Sequence, residues 1–143
     1  MTLELRMALT LKLEIATPEG TVYSEDAELV TIPAVEGEMG VYPQHIRLMT
    51  KLVPGELSFH RNGRVDFLAV GEGLVEVTGN RISILTDMAV PAEKIDEAKA
   101  EQERLRADAQ LRAQLSAQDL ATVNASLARS LAQLSVKRRG RKI

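Results

Sequence analysis

Few side chains in this 143-residue sequence could carry chemistry. It has two histidines and no cysteine, so disulfide bonds and metal sites built on thiolates are excluded. His45 ends the segment GEMGVYPQH, residues 37–45, and His60 lies just before the turn-forming pair Asn62-Gly63. Neither histidine belongs to an HxH or HxxxH pair. A metal site is therefore not predicted.

An enzyme needs a nucleophile, a base or a metal held in convergent geometry. His45 together with Glu38 could supply a base, but no nucleophile accompanies them. The sequence GEG at 71–73 precedes a strand-like segment instead of a helix, and so does not indicate a phosphate-binding loop. We predict no catalytic residues, no metal and no resident cofactor in this chain.

Charge divides the chain into two unlike parts. Residues 1–90 carry seven Lys/Arg and thirteen Asp/Glu, a net charge of −6, whereas residues 91–143 carry eleven and seven, a net charge of +4. Five of these cations lie in the ending KRRGRK, residues 137–142. No aromatic residue is interleaved with them, so base stacking is unsupported and nucleic acid is not a predicted partner. A cationic end of this kind fits an acidic protein surface.

Membrane insertion is not predicted either. No stretch reaches the roughly 20 apolar residues that a spanning helix needs, and the start MTLELRMALT lacks the pattern of a secretory signal. We expect a protein that works inside a cell and can still attach to a membrane complex.

The first 90 residues have the pattern of a β protein. The sequence LKLEI at residues 11–15 alternates apolar and polar positions, which is typical of a half-buried strand. TPEG and RNGR supply turn residues, and further strand-like segments recur as far as RISIL. No helical segment long enough for a parallel crossover interrupts them. An antiparallel β-sandwich or barrel is therefore predicted over residues 1–90.

The segment GEMGVYPQH is dense in special residues and is predicted to be a loop. Gly37 and Gly40 would let the chain turn tightly, and Pro43 would stiffen the exit. Three of its other residues are not needed by such a turn and suggest a contact surface: Glu38, Tyr42 and His45.

From Pro91 onward the pattern becomes helical. Residues 92–115 contain no Gly or Pro and are rich in helix formers, but their stripe is thin and partly polar. That stripe consists of Ile95, Ala98, Gln102, Leu105, Ala109 and Arg112. Ser116, with Asp119 three residues later, predicts the cap of a second helix.

The second helix is predicted to bury a leucine-rich face beside a face of small residues. The larger residues are Leu120, Val123, Leu127, Leu131 and Leu134, and the small ones are Ala121, Ala125, Ala128 and Ala132. Small side chains let a partner helix approach closely, so an antiparallel hairpin is predicted over residues 91–143. A solvated helical tail remains the alternative.

Three stretches resemble the epsilon subunit family of rotary F-type ATP synthases, called delta in mitochondria. GEMGVYPQH is similar to the family signature G-E-x-G-x-x-P-x-H. GEGLVEVTGNRISILTDMA, residues 71–89, resembles the closing strands of the family's sandwich. IDEAKA, residues 95–100, resembles the I/L-D-x-x-R-A motif that opens the first C-terminal helix. The resemblance extends from about Leu11 to Ile143.

The resemblance implies a β-sandwich with a helical hairpin and the role of a non-catalytic rotor subunit. The sandwich would bind the gamma subunit and the polar loops of the c-ring, the latter through Glu38, Tyr42 and His45. The hairpin would move between the sandwich and the alpha/beta catalytic hexamer, where it would suppress ATP hydrolysis. Its location would be the cytoplasmic face of the bacterial inner membrane, or the plastid or mitochondrial equivalent. Four basic residues would face the hexamer: Arg129, Lys137, Arg138 and Arg139.

The nucleotide motif of the family is only partly present. Ile95, Asp96 and Ala100 match it, whereas Lys99 replaces the arginine and loses its planar two-pronged donor geometry. Arg106 has the spacing of a second family arginine. The resemblance therefore implies that ATP is a weak regulatory ligand or does not bind.

A second class of function stays open on the residues alone. A stand-alone β-sandwich adaptor could use the leucine face of residues 120–134 as a coiled-coil dimerisation arm. It would form dimers and would not depend on gamma.

Overall fold

The computed structural model describes residues 9–113 and 115–140. Within them the chain forms ten strands followed by two α-helices. The strands are β1 (Leu11–Thr17), β2 (Gly20–Ala27), β3 (Leu29–Ala34), β4 (Gly37–Val41), β5 (His45–Leu52), β6 (Gly55–Arg61), β7 (Arg64–Val70), β8 (Gly73–Gly79), β9 (Arg81–Thr86) and β10 (Ala89–Pro91). A 3₁₀ turn (Ala92–Lys94) leads to the helices α1 (Glu97–Leu111) and α2 (Ala117–Gly140).

The strands form one continuous sheet in the order β10-β7-β6-β3-β5-β8-β9-β1-β2, with β4 paired to β3. The sheet curls so that the edge strand β2 returns to contact β6. Neighbours among the described strands are antiparallel except β1 and β9, which run parallel. The predicted sandwich or barrel followed by helices is confirmed, and the parallel pair is a feature that local periodicity did not indicate.

The core of the sheet follows from period-two alternation. Leu11, Leu13 and Ile15 of β1 are buried, while Lys12 and Glu14 between them stay partly exposed. The same alternation in the other strands fills the interior with aliphatic side chains and Phe59. Because these core residues all come from strands, the sheet has a core of its own without the helices.

The prediction of a loop for GEMGVYPQH is wrong for most of the segment. Residues 37–41 are strand β4, and His45 begins β5. Gly37 has a φ of +123° at the turn into β4, but Gly40 lies inside the strand opposite Thr31 without a positive φ. The second left-handed residue is instead Gln44, with a φ of 66°. Pairing with β3 satisfies the backbone of this glycine-rich stretch, and that pairing is not encoded locally.

The helical hairpin forms as predicted, and its caps are visible. Asp96 caps α1 by accepting a hydrogen bond from the Lys99 amide at 3.1 Å. Ser116 Oγ accepts the Asp119 amide at 3.1 Å and so begins α2, which confirms the predicted cap. The end of α2 lies beside the start of α1, so the two helices are antiparallel.

The predicted stripe of α1 is wrong. Leu105, its largest residue within the helix, is 54% exposed, whereas Ala100 and Ala107 are buried against α2. The two alanines are seven residues apart, close to two turns of helix, and they let the helix axes approach closely. The contact therefore depends on small residues that a search for large apolar side chains overlooks.

The predicted face of α2 is right in part. Val123 and Leu134 are buried, but Leu120 and Leu131 remain 42% and 48% exposed. The reason is that α2 packs on β6 and β7 as well as on α1, so its buried surface is split between two directions. A small second core forms on the sheet side, from Ala69, Ile95, Ala132 and Val136. Neither described helix has an apolar stretch long enough to cross a membrane.

Candidate functional site

Glu38 lies beside the hairpin. It is opposite Pro33 in the β3–β4 pairing. It also lines an open groove of about 600 Å³ between the sheet and α2, together with Leu131 and Arg139. The pKa of Arg139 is raised, first by its hydrogen bond to Glu56 and in smaller part by the charge of Glu38. The structure therefore brings Glu38 close to the cationic end of α2.

Tyr42 and His45 lie elsewhere. Tyr42 directly follows β4 and lies four residues of nearly extended chain, roughly 13 Å, from Glu38. Tyr42 is 63% exposed, and His45 pairs with Gly79 at the β8–β9 turn. The His45 ring nitrogen Nδ1 is 2.7 Å from the carbonyl oxygen of Ile46. Glu38 thus lies near the end of the hairpin and His45 near the β8–β9 turn, and the described contacts do not include a Glu38–His45 pair.

The three residues that match the nucleotide motif have structural roles in this conformation. Ile95 is buried in the second core, Asp96 caps α1, and Ala100 packs against α2. Lys99 and Arg106 are exposed on α1. They are two turns apart, about 10 Å along the helix axis.

Arg106 and Arg129 line the same polar groove of about 320 Å³ between the two helices. Ser126 and Gln133 of α2 and Glu103 of α1 contribute further polar groups. Arg129 Nη1 also lies 3.5 Å from Asp87 Oδ2, just after β9. Sequence reasoning assigned these two arginines to different roles, and the fold places them together.

Arg138 joins the two helices of the hairpin. Its Nε is 3.3 Å from Glu97 Oε1, and its Nη2 is 3.0 Å from Glu101 Oε2. Glu101 also pairs with Arg104 of its own helix. We call Arg138, Glu97 and Glu101 the clip. Next to it, Lys137 Nζ donates to the carbonyl oxygen of Ala92 at 3.3 Å.

Arg139 joins the hairpin to the sheet. Its Nε and Nη2 donate to Glu56 Oε2 of β6 at 2.8 and 2.6 Å, while Ser135 Oγ donates to Glu56 Oε1 at 2.7 Å. The guanidinium carbon lies 5.5 Å from the centroid of the Phe67 ring, a distance typical of a cation–π contact. We call Glu56, Phe67, Ser135 and Arg139 the anchor cluster.

The electrostatics of Glu56 reflect this clustering. Burial raises the pKa of Glu56, but hydrogen bonds from Arg139 and Ser135 and the charge of Arg139 more than offset burial, so its pKa lies below the ordinary value. Because the pKa of Glu56 is lowered in the docked state, the ionised carboxylate stabilises that state at neutral pH. This stabilisation is lost as the pH falls through the lowered pKa.

The acidic partners of the hairpin cations were missed by sequence reasoning. The spacing of Glu97 and Glu101, four residues apart on one helix, could have indicated a bridging cation, since like charges at that spacing repel. Glu56 and Asp87 give no such signal, because they lie 83 and 42 residues before Arg139 and Arg129 in the sequence.

An exposed apolar surface on the sheet was also missed. Leu74 of β8 pairs with Lys51 of β5 and Leu85 of β9, and both leucines are more than half exposed. Met49, two residues before Lys51, is 67% exposed. We call Met49, Leu74 and Leu85 the apolar face. The adjacent apolar pairs Leu74-Val75 and Ile84-Leu85, which break the alternation, were the available signal.

These contacts describe a β-sandwich protein with a docked helical hairpin, whose charged groups hold elements together. Across residues 9–113 and 115–140, no three His, Cys, Asp or Glu residues are placed to share a metal ion.

Comparison with known proteins identifies the family. The family model for the β-sandwich domain of the ATP synthase delta/epsilon chain matches residues 10–92. The ATP synthase epsilon chain of Herpetosiphon aurantiacus is 42% identical over 128 residues, covering 90% of this chain and 94% of the relative. The epsilon chain of Chloroflexus aggregans is 39% identical, covering 90% and 92%. The chain belongs to the ATP synthase epsilon-chain family.

Solved structures agree with this assignment. A chain in the cryo-EM structure of the Euglena gracilis mitochondrial ATP synthase (OSCP/F1/c-ring, rotational state 1) has a TM-score of 0.76 and 25% identity, covering 89% of this chain and 80% of that chain. A chain of the Tetrahymena thermophila central stalk and c-ring structure has a TM-score of 0.63 at 11% identity, which shows a shared fold alone.

The anchor cluster predicts a measurable shift of one carboxyl. In the intact chain, the pKa of Glu56 should lie below that of an ordinary glutamate. With Arg139→Gln it should rise at least to the ordinary range, because the offsetting hydrogen bonds and charge are lost. Carbon-13 NMR of the side-chain carboxyl during an acid titration measures both values. Arg64→Gln, at an exposed cation on β7, serves as the control, and an unchanged Glu56 pKa in Arg139→Gln would contradict the assignment.

Proposed function

We propose that this chain is a regulatory rotor subunit, which links ion flow through the c-ring to ATP synthesis and suppresses ATP hydrolysis through its hairpin. The observation that carries the proposal is the docked hairpin itself. Four residues that resemblance assigns to contacts with the hexamer make contacts within the chain here: Arg129, Lys137, Arg138 and Arg139.

Engagement of these cations makes docking and inhibition mutually exclusive. The Nε and Nη2 groups of Arg139 cannot donate to a carboxylate of the hexamer in the same geometry while they donate to Glu56. The hairpin can therefore occupy either the sheet or the acidic surface of the hexamer. Two binding modes that compete for the same groups are what a two-state regulator requires.

The gamma subunit is the proposed occupant of the apolar face. Met49, Leu74 and Leu85 are exposed on strands β5, β8 and β9, away from the hairpin on β6 and β7. A monomer gains nothing by exposing three large apolar side chains together, and a permanent partner would bury them. This surface would remain available in both positions of the hairpin.

The c-ring is the proposed partner of the end that carries Tyr42 and His45. Tyr42 is well exposed there, and the Gln44 amide fixes the turn by donating to Asn80 Oδ1 at 3.2 Å. Glu38, which lines the groove beside α2, would lie at the edge of this contact with the ring. The attachment to the membrane would thus be peripheral, at the cytoplasmic face of the bacterial inner membrane.

ATP is proposed to be at most a weak regulatory ligand. The Asp96 carboxylate accepts a hydrogen bond from the amide of Lys99 as a helix cap, and Lys99 lies about two turns from Arg106, which lines a groove with Arg129. No catalytic role is proposed for any of these residues. The stand-alone adaptor is disfavoured, since α1 and α2 already pair within one chain.

Removal of the hairpin should abolish the suppression of ATP hydrolysis and leave gamma binding intact. A chain ending at Lys94 keeps β10 and every strand residue of the sheet core, so we expect it to bind gamma as well as the full chain does. It should no longer suppress ATP hydrolysis by the reconstituted catalytic complex. Binding and hydrolysis assays with both chains measure this. Equal inhibition by the truncated chain would exclude the hairpin from the regulatory role.

The apolar face should determine gamma affinity. Leu85→Lys places a charge in the proposed interface and should weaken gamma binding by at least about tenfold. Leu105→Lys is the matched control, because Leu105 is similarly exposed but lies on α1. Calorimetric titration of gamma with each chain compares them. If gamma affinity falls equally in the two variants, or does not fall in Leu85→Lys, gamma does not bind to the apolar face.

Nucleotide binding can be tested directly. Titration calorimetry should detect no micromolar affinity of the chain for ATP. Lys99→Arg should strengthen whatever binding exists, because arginine restores the planar two-pronged donor. Micromolar affinity in the unaltered chain would contradict the proposal of weak or absent binding.

A further inference from the structure

Two neighbouring arginines at the end of α2 reach in different directions. Arg138 contacts Glu97 and Glu101, both on the other helix of the hairpin. Arg139 contacts Glu56 on β6, in the sheet. One residue along a helix turns a side chain by about 100°, so adjacent positions necessarily face different neighbours. The clip is therefore internal to the hairpin, whereas the anchor cluster crosses from the hairpin to the sheet.

The apolar contacts of α2 are divided in the same way, between α1 and the sheet. The α1–α2 contact buries Ala100 and Ala107 and is independent of the sheet. The α2–sheet contact buries Ala69 with Ala132 and Val136, a small apolar surface beside the sixteen buried residues of the sheet core. Phe67, Met88, Val90 and Ala92 pack against this cluster and are partly buried. The polar contacts between α2 and the sheet add to the docking free energy of this apolar contact.

Glu56 is the centre of that polar contribution. Its side chain is 21% exposed, and both of its oxygens accept hydrogen bonds from α2. The other ties between α2 and the strand region are weaker: Arg129 lies 3.5 Å from Asp87, and Gln133 Nε2 lies 3.1 Å from the sulfur of Met88. Glu38 adds a negative charge near Arg139 without a hydrogen bond of its own.

We infer that Arg138 and Arg139 perform separable tasks: Arg138 closes the hairpin on itself, and the Glu56–Arg139 contact fastens the closed hairpin to the sheet. When the anchor contact breaks, the two helices leave the sheet as one body. Both tasks belong to the isolated chain. Its consequence for ATP hydrolysis rests on the proposed function.

Spin labelling tests this division cleanly, because the chain has no native cysteine. One doubly labelled chain carries cysteines at Thr21 and Asn124, exposed positions on β2 and α2, and reports docking. Another carries them at Gln102 and Asn124, exposed positions on the two helices, and reports hairpin closure. Each pair is measured by double electron–electron resonance in the full chain, alone and with Glu56→Gln, Arg139→Gln or Arg138→Gln.

Glu56→Gln and Arg139→Gln should each raise the undocked population roughly tenfold, the scale expected when a charge-assisted hydrogen bond to a partly buried carboxylate is lost. The Gln102–Asn124 distance should stay unchanged in both variants. The double variant should equal either single one, since the residues act through one contact.

Arg138→Gln is the matched control, one residue away and with the same loss of charge. It should leave the Thr21–Asn124 distance unchanged. The inference is overturned if Arg138→Gln undocks the hairpin as strongly as Arg139→Gln does. It is equally overturned if Arg139→Gln alters neither distance, or alters both together. These readings use the isolated chain, so they can succeed or fail independently of the hydrolysis assay on the truncated chain.

Discussion

The position of α2 between the sheet and α1 determines the arrangement of the second half of the molecule. One side of the helix packs on β6 and β7 through Ala132 and Val136, and another side accepts the small residues of α1. A helix in this position cannot have a single apolar stripe, so its leucines are divided between buried and exposed positions. The basic residues in its last turn contact acidic groups on both α1 and the sheet.

The sheet core is much larger than the core between the hairpin and the sheet, which would allow the hairpin contact to be reversible. The sheet core contains sixteen buried apolar residues and needs nothing from the helices. In the docking core two of the four buried residues are alanines, and full burial of the others, Ile95 and Val136, contributes roughly 1.5–3 kcal/mol each. A helix held by a few such residues and some partly exposed ion pairs can leave without unfolding the sheet. Added salt weakens the ionic part of that contact.

Sequence predicted the elements better than their contacts. Alternation identified β1, turn residues identified the neighbouring hairpins, and the Ser116 cap identified the start of α2. These signals are local, so a single sequence is sufficient to recognise them. Strand β4 was mistaken for a loop, because its pairing with β3 is not visible in its own glycine-rich composition. The stripe of α1 was misread because alanines, not leucines, form its contact.

The contacts of the candidate site were even harder to predict from the sequence than those of the fold. The cations of the hairpin are evident in the sequence, but their partners are not: Glu56 lies 83 residues before Arg139 and is one acid among twenty. Nor could sequence reveal that Glu38 lies on the hairpin side, since that depends on the register of β3 with β4. The segment GEMGVYPQH therefore has its two ends beside different elements. Its first part lies beside the end of the hairpin and its last part beside the β8–β9 turn, because β4 and β5 carry the chain from one position to the other.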